Sequence, residues 1–312
     1  MVISKKNINF AAAKDTTIMK KFFTLFLALA TSVGTLFLQS CTPSWNITDD
    51  VTASGTCGAN LTWTLRDTVL TVSGTGAMDD WAFSEDVPWY SYQKKITTVT
   101  IGNSVTSIGN GAFNNCIALR SVTIPNSVTS IGGGAFNNCP SLMSVTIPDN
   151  VTGIGDYAFN DCFGLTSLTI GNSVTTIGYS AFAHCTALTS LTLPNSVTSI
   201  GELAFYGCSG LTSVTIPDNV TSLGDAAFID CYSLNSVTIG RSISLIGEET
   251  FSGCTGLKSI TCYAAVPPVC GDDAFASVNR SIPVYVPDPS IDAYKAADVW
   301  KEFTILGHSD AP

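Results

Sequence analysis

Hydrophobic side chains return along this chain at a fixed interval. They stand at Leu119, Val122, Ile124, Val128, Ile131, Ala135, Phe136 and Cys139, with Ser, Thr, Asn and Gly between them, and the same spacing recurs every 23 residues. Cys116, Cys139, Cys162, Cys185, Cys208, Cys231 and Cys254 hold that interval without an insertion, and a Phe precedes each by three residues, from Phe113 to Phe251. A period of this length without slippage predicts a solenoid, in which each coil buries its apolar face only against its neighbours.

Within one repeat, apolar residues at the first, fourth and sixth places (Leu119, Val122, Ile124; Leu142, Val145, Ile147; Leu165, Leu168, Ile170) predict a short strand with those side chains inward. Eight such strands stack in parallel, from Ile96, Val99 and Ile101 to Leu257, Ile260 and Cys262. Pro125, Pro148, Pro194 and Pro217, or Gly102, Gly171 and Gly240 in the same slot, end each strand. A second pair, Val128 and Ile131, brings the chain back along the opposite side. Gly132 and its equivalents then recur strictly, which calls for either a positive φ or a close backbone approach. Ala-Phe-x-x-Cys follows, and its spacing of three places Phe136 and Cys139 on one face of a short helical turn. About seven buried side chains at about 1.5–3 kcal/mol each only match the ordering entropy of one coil, so a lone repeat does not fold.

The two ends depart from the period. Residues 52–95 form an expected N-terminal cap: Leu61 to Leu65 alternates with period two, Arg66-Asp67 can turn the chain, and Val69 to Val72 completes a β-hairpin. The aromatic residues Trp81, Phe83, Trp89, Tyr90 and Tyr92 then either cover the open end of the array or line a glycan site. The repeats occupy 96–270. Residues 271–312 form the C-terminal cap, with a strand over Ser281 to Pro287 and a helix from Ser290, its N-cap, to Phe303.

Before the array lies a targeting segment, residues 1–40. Met19-Lys20-Lys21 is a basic start, Phe22 to Leu38 an apolar stretch too short for a membrane span, and residues 1–18 an upstream extension. Leu38-Gln39-Ser40-Cys41 resembles a bacterial lipobox, which implies that Cys41 is lipidated and that 41–51 is the anchor and tether. The plain alternative is a secretory signal with an incidental cysteine. The 14 basic and 24 acidic residues of the whole chain become 9 and 23 once Lys5, Lys6, Lys14, Lys20, Lys21 and Asp15 are removed with the leader. That balance excludes nucleic acid as a partner and leaves membrane attachment to the lipid alone.

Val-x-x-Ile-Gly-x-x-Ala-Phe-x-x-Cys-x-x-Leu-x-x-Val-x-Ile-Pro, as in Val128 to Pro148, resembles the 23-residue leucine-rich repeat of the BspA-like bacterial surface proteins. Ala53 to Cys57, Trp63 and Gly74 to Ala77 resemble the cap that precedes such repeats, so the likeness covers residues 53 to 305. It implies a leucine-rich-repeat array of parallel strands with short helical or turn segments, exported and lipid-anchored in the outer membrane or on the surface of a Gram-negative cell. It further implies adhesin-like recognition of a protein or cell-surface ligand, a host matrix protein included. The family motif carries no catalytic residue.

The residues themselves agree on that last point. Only His184 and His308 are present, which removes most metal and general-base constellations, so no catalytic site, metal or cofactor is expected. His184 beside Cys185 reads as one rung of an inward thiol ladder rather than as a nucleophile pair. The periodic cysteines are expected as free thiols, because stacked parallel side chains do not supply the torsion near 90° of a disulfide. Cys57, Cys262 and Cys270 stand outside that set, and a bridge between the last two stays open. The expected recognition surface is the pair of outward hydroxyl rows Ser144, Ser167, Ser190, Ser213 and Thr146, Thr169, Thr192, Thr215. The rival readings are an ice- or crystal-binding solenoid, motivated by those same rows, and a glycan-binding module. Cys41→Ala is expected to abolish partition into detergent while leaving the repeat fold intact; unchanged partition with no acyl mass would contradict lipidation.

Overall fold

The computed structural model describes residues 51–82 and 84–311. Cys41, most of its tether and Phe83 lie outside the described residues.

From Val69 onward the chain winds as a parallel solenoid with two stacked ladders. The first runs through Val69–Gly74, Thr98–Ile101, Ser121–Thr123, Ser144–Thr146 and Ser167–Thr169, and resumes with Ser213–Ile216, Ser236–Ile239 and Ser259–Cys262. The second ladder holds two- to four-residue strands on the other side, from Gly76–Ala77 to Val269–Cys270. Register is one repeat per rung: Ser144 pairs with Ser167, and Thr215 with Thr238 and then Thr261. Of the eight expected strands the fifth, over Ser190 to Leu193, does not form as a ladder strand, although Thr212 still donates to the Thr189 carbonyl at 3.1 Å. There Leu193 takes the inward place that Ile170 and Ile216 hold in the coils on either side, whereas Leu191 matches Leu168 of a coil that does form its strand.

The expected helical turn is also corrected. Backbone N–H groups from Gly111 to Cys116 alternate: Ala112, Asn114 and Cys116 donate three residues back in their own coil, whereas Gly111, Phe113 and Asn115 donate to Gly133, Ala135 and Asn137 of the next. Coil stacking therefore takes every second donor, and a continuous helix cannot form. Two left-handed residues bracket the segment, Gly111 and Asn115 in this coil, Tyr157 (φ 56°) and Asp161 (φ 57°) two coils on. Gly132 is not left-handed. Its role is close approach: a Cβ there would stand 2.6 Å from the Asn110 backbone nitrogen, and at Gly155 2.6 Å from that of Gly133.

Inside, the repeated rings form one column. Phe113, Phe136, Phe159, Phe182, Phe205, Phe228 and Phe251 are fully buried and stack with centroids 5.1–5.5 Å apart. Phe275, one residue out of register, adds an eighth ring at 5.4 Å. Beside them runs the thiol ladder. Cys139, Cys162, Cys185, Cys208, Cys231 and Cys254 each aim Sγ at the carbonyl of a Phe in the preceding coil, at 3.2–3.5 Å. All ten described cysteines are free thiols, Cys262 and Cys270 included. Cys262 instead accepts a hydrogen bond from the Tyr294 hydroxyl at 3.2 Å.

Tryptophan closes the ring column at both ends. Trp89 stacks on Phe113 at 5.4 Å, donates Nε1–H to the Ala112 carbonyl at 2.9 Å and meets Trp63 and Trp81 edge-on. Trp300 meets Phe275 edge-on at 5.6 Å and donates to the Pro268 carbonyl at 2.8 Å. Trp89 has no solvent exposure, so this part of the aromatic cluster serves as a lid rather than a glycan platform. The hairpin is a three-stranded meander: Ala53–Gly58 adds an antiparallel strand to Leu61–Arg66, which pairs with Val69–Gly74 around left-handed Asp67. At the other end the helix covers only Ile291–Ala296. It stops before left-handed Val299, and an unforeseen strand, Thr304–Gly307, follows. Ser290 sits before the helix, but its hydroxyl bonds the Ala265 carbonyl at 2.8 Å instead of capping it.

Two predictions follow from this core. Phe159→Ala should lower stability by about 3–5 kcal/mol, since rings above and below fix the cavity open, whereas Phe163→Ala, at a side chain 43% exposed, should cost little; similar thermal shifts for both would contradict the column. Burial pushes the thiols of Cys116, Cys162 and Cys208 up to about 12 from 9.0. The folded chain thus holds these protons more tightly than the unfolded one, so the contribution is complete below pH 9 and is lost as pH rises from 9 toward 12. Thiol labelling at pH 8 should reach them only on unfolding, and midpoints of thermal unfolding should fall above pH 9.

Candidate functional site

On each strand of the first ladder, the residue between two inward side chains must face solvent, because strand side chains alternate. Ser144, Thr146, Ser167, Thr169, Ser190, Thr192, Ser213 and Thr215 are all exposed, as expected, and the ladder aligns them in two rows. The threonine row is longer than expected. It begins at Thr71 in the meander, passes Thr100 and Thr123, and continues through Thr238 and Thr261 until Tyr285 and then Leu306 take the place. Thr71 was legible in the alternation of Leu70, Thr71 and Val72, had the hairpin been joined to the array in parallel.

The chemistry of these rows is set by what their hydroxyls do not do. Among the described residues, none of the eight makes a hydrogen bond to its own chain through its side chain. Beside hydroxyls at Ser130, Thr176, Ser199 and Ser222 that likewise make no such bond, the opposite ladder presents a threonine row whose hydroxyls are occupied. Thr129 donates to the Thr106 carbonyl at 3.1 Å, Thr175 to Thr152 at 3.0 Å and Thr198 to Thr175 at 3.2 Å. On the first face Thr166 and Thr212 are occupied in the same way, so the faces differ in pattern: two unbroken free rows on the first, and on the second a single one that Gly153 and Leu245 interrupt.

The turns that follow the strands form the rim of the first face, and Asn172 and Asn195 border this same surface. Asn172 lines a shallow depression with Leu168, Thr169, Thr192 and Pro194. Asn195 lines a second one with Thr215, Asp218, Thr238, Arg241 and Tyr263. Asp149 and Asp218 do bond backbone from these turns, but the backbone is that of the next coil: Asp149 accepts from Asn172 N–H at 2.8 Å, and Asp218 from Arg241 N–H at 3.0 Å. Asp218 also pairs with the Arg241 guanidinium at 2.8 Å. That pair and Tyr263, 48% exposed, give this end of the face a charged, aromatic corner.

His184 and Cys185 do not form a pair. The thiol points inward to the Phe159 carbonyl, and the imidazole lies half-buried against Tyr206, ring centroids 4.5 Å apart. Among the described residues no group of three or more His, Cys, Asp or Glu side chains could hold a metal ion, and no helix is long and apolar enough to cross a membrane.

The comparisons with known proteins fall on this same array. A leucine-rich repeat protein of T. pallidum is 20% identical over 79% of this chain and 93% of its own, with a TM-score of 0.45. One from Bacteroides ovatus is 20% identical over 80% and 98%, with a TM-score of 0.37. A leucine-rich cell surface protein of Faecalibacterium prausnitzii is 23% identical over 82% and 95%, with a TM-score of 0.31. No curated protein matches. The BspA-type leucine-rich repeat region matches residues 89–189 and 175–288, in six copies. Since these segments hold the coils, the ring column and the thiol ladder described above, the chain belongs to the BspA-type leucine-rich repeat family.

Proposed function

We propose that this protein is an exported recognition module without enzymatic activity, anchored through a lipid on Cys41, that binds a protein partner across the hydroxyl rows of its first ladder. The observation that carries this reading is the two unbroken rows of free hydroxyls from Ser144 to Thr215, where the free row of the opposite face is single and interrupted at Gly153. Short hydroxyl side chains lose little rotamer entropy on binding. At about 4.8 Å per strand, eight coils offer a surface on the order of 35–40 Å long, enough for a standard interface. The targeting segment and lipobox-like Leu38 to Cys41 support export and anchoring.

A pull-down of host and bacterial surface proteins with the full chain would supply the partner. Thr169→Lys with Thr192→Lys should then weaken its binding at least tenfold, about 1.4 kcal/mol, through charges desolvated without counter-ions. The unfolding midpoint should move little. Thr176→Lys with Ser199→Lys, exposed on the opposite face, should leave binding unchanged. The reverse pattern would transfer the site to the second ladder.

A further inference from the structure

The edge of the solenoid where the chain passes from the second ladder back to the first carries rings that the core does not use. Phe163 and Tyr232, each directly after a buried Cys, are 43% and 52% exposed. Between them His184 lies 6.5 Å from Phe163 and 4.5 Å from Tyr206, centroid to centroid. Tyr157, 45% exposed, meets Tyr179 at 5.1 Å on the same edge. At the equivalent places in other coils stand Pro140, Thr186, Ser209 and Thr255, so the period does not require aromatic residues there.

Charge is segregated on this edge as well. Asp156, Asp161, Glu202, Asp225 and Asp230 fall in these turn segments, and from Gly109 to Gly256 the segments contain no Lys or Arg. Some carboxylate oxygens are used internally: Asp156 accepts from Tyr179 N–H at 2.8 Å and Asp161 from the Asn160 amide at 3.0 Å. The Asp230 carboxylate lies close enough to the Tyr232 hydroxyl to raise its pKa. The rings stand at 44–64° to their neighbours, so they form no coplanar platform for a sugar. Ring faces flanked by carboxylates instead match a planar cation.

The chain shows that arrangement within itself. Arg280 places its guanidinium carbon 4.7 Å from the Phe303 centroid while its Nε lies 3.4 Å from a Glu302 carboxylate oxygen.

We propose that this edge, centred on Phe163, Tyr206 and Tyr232 with Asp161 and Asp230, binds an arginine-rich extended polypeptide segment. Three coil spacings separate Phe163 from Tyr232, about 14 Å, the reach of about four extended residues. Arginines at alternating positions of such a segment point to one side and meet successive rings and carboxylates. This surface is separate from the hydroxyl rows, and its occupancy does not depend on them.

The test is fluorescence anisotropy of a labelled twelve-residue peptide of alternating Arg and Ser, titrated with the full chain at about 0.15 M salt. Phe163→Ser with Tyr232→Ser, and separately Asp161→Asn with Asp230→Asn, should each weaken binding at least fivefold. Asn suits the left-handed backbone at both acidic positions. Replacing Arg by citrulline should abolish binding to the unaltered chain, replacing it by Lys should weaken it several-fold, and Thr169→Lys with Thr192→Lys should leave it within twofold. Unchanged binding by the ring variant, or equal binding of the Lys and Arg peptides, would overturn the proposal in favour of diffuse attraction to a chain of net charge −10. Displacement of the peptide by a neutral oligosaccharide would overturn it in favour of a glycan site.

Discussion

One length governs this molecule: the distance between hydrogen-bonded strands, about 4.8 Å. Each coil must fit its whole interior into that thickness, and a phenyl ring lying flat in the stack does so, as the centroid spacing of 5.1–5.5 Å shows. The ring column, the thiols aimed at the carbonyls of the coil before and the strict glycine where backbones touch are three results of that one limit. It also explains the absence of continuous helix. A helical turn keeps its donors for itself, whereas a coil of this thickness needs every second donor for its neighbour.

Much of this was legible because a solenoid repeats its evidence. Inward places fell to Leu119, Val145 and Ile147, and outward places to Ser144 and Thr146, by alternation alone, and the structure keeps them there. The thiol ladder could be foreseen from side-chain direction before any contact was seen. What escaped was non-periodic. Trp89 and Phe275 extend the ring column but stand one residue out of register, so counting in steps of 23 passes over them. The coil of Leu191 and Leu193 keeps the apolar pattern while interrupting the ladder, since the pattern records polarity and not hydrogen bonding. That Asn172 borders the hydroxyl rows was not legible, because a turn has no alternation to fix which way it faces. For the surface, sequence yielded the rows but not the difference between them: whether a threonine hydroxyl is free depends on where the neighbouring coil's carbonyl lies.

The ends and the middle meet water differently. In the middle, each ring has a ring above and below. At the ends the column needs a side chain that is flat on one side and can satisfy a carbonyl on the other, and indole does both, at Trp89 and at Trp300. The meander and the terminal strands extend the first ladder over the same ends, so its edge is continued by paired strands of the chain's own making.

The first left-handed residue of each turn has a further meaning. Gly134, Tyr157, Ser180, Leu203, Ala226 and Glu249 occupy it in successive coils, although only glycine is at ease there. In each case the residue's own N–H is fixed by a carbonyl of the following coil, from Asp156 for Gly134 to Asp272 for Glu249. The stack, not the side chain, dictates the backbone, and six chemically unrelated residues carry the same bend. Such a position can drift under selection without loss of architecture, and repeat duplication multiplies it along one edge. The fold thereby separates what must be copied faithfully from what can be rewritten, much as a printed page keeps its line spacing whatever words are set on it.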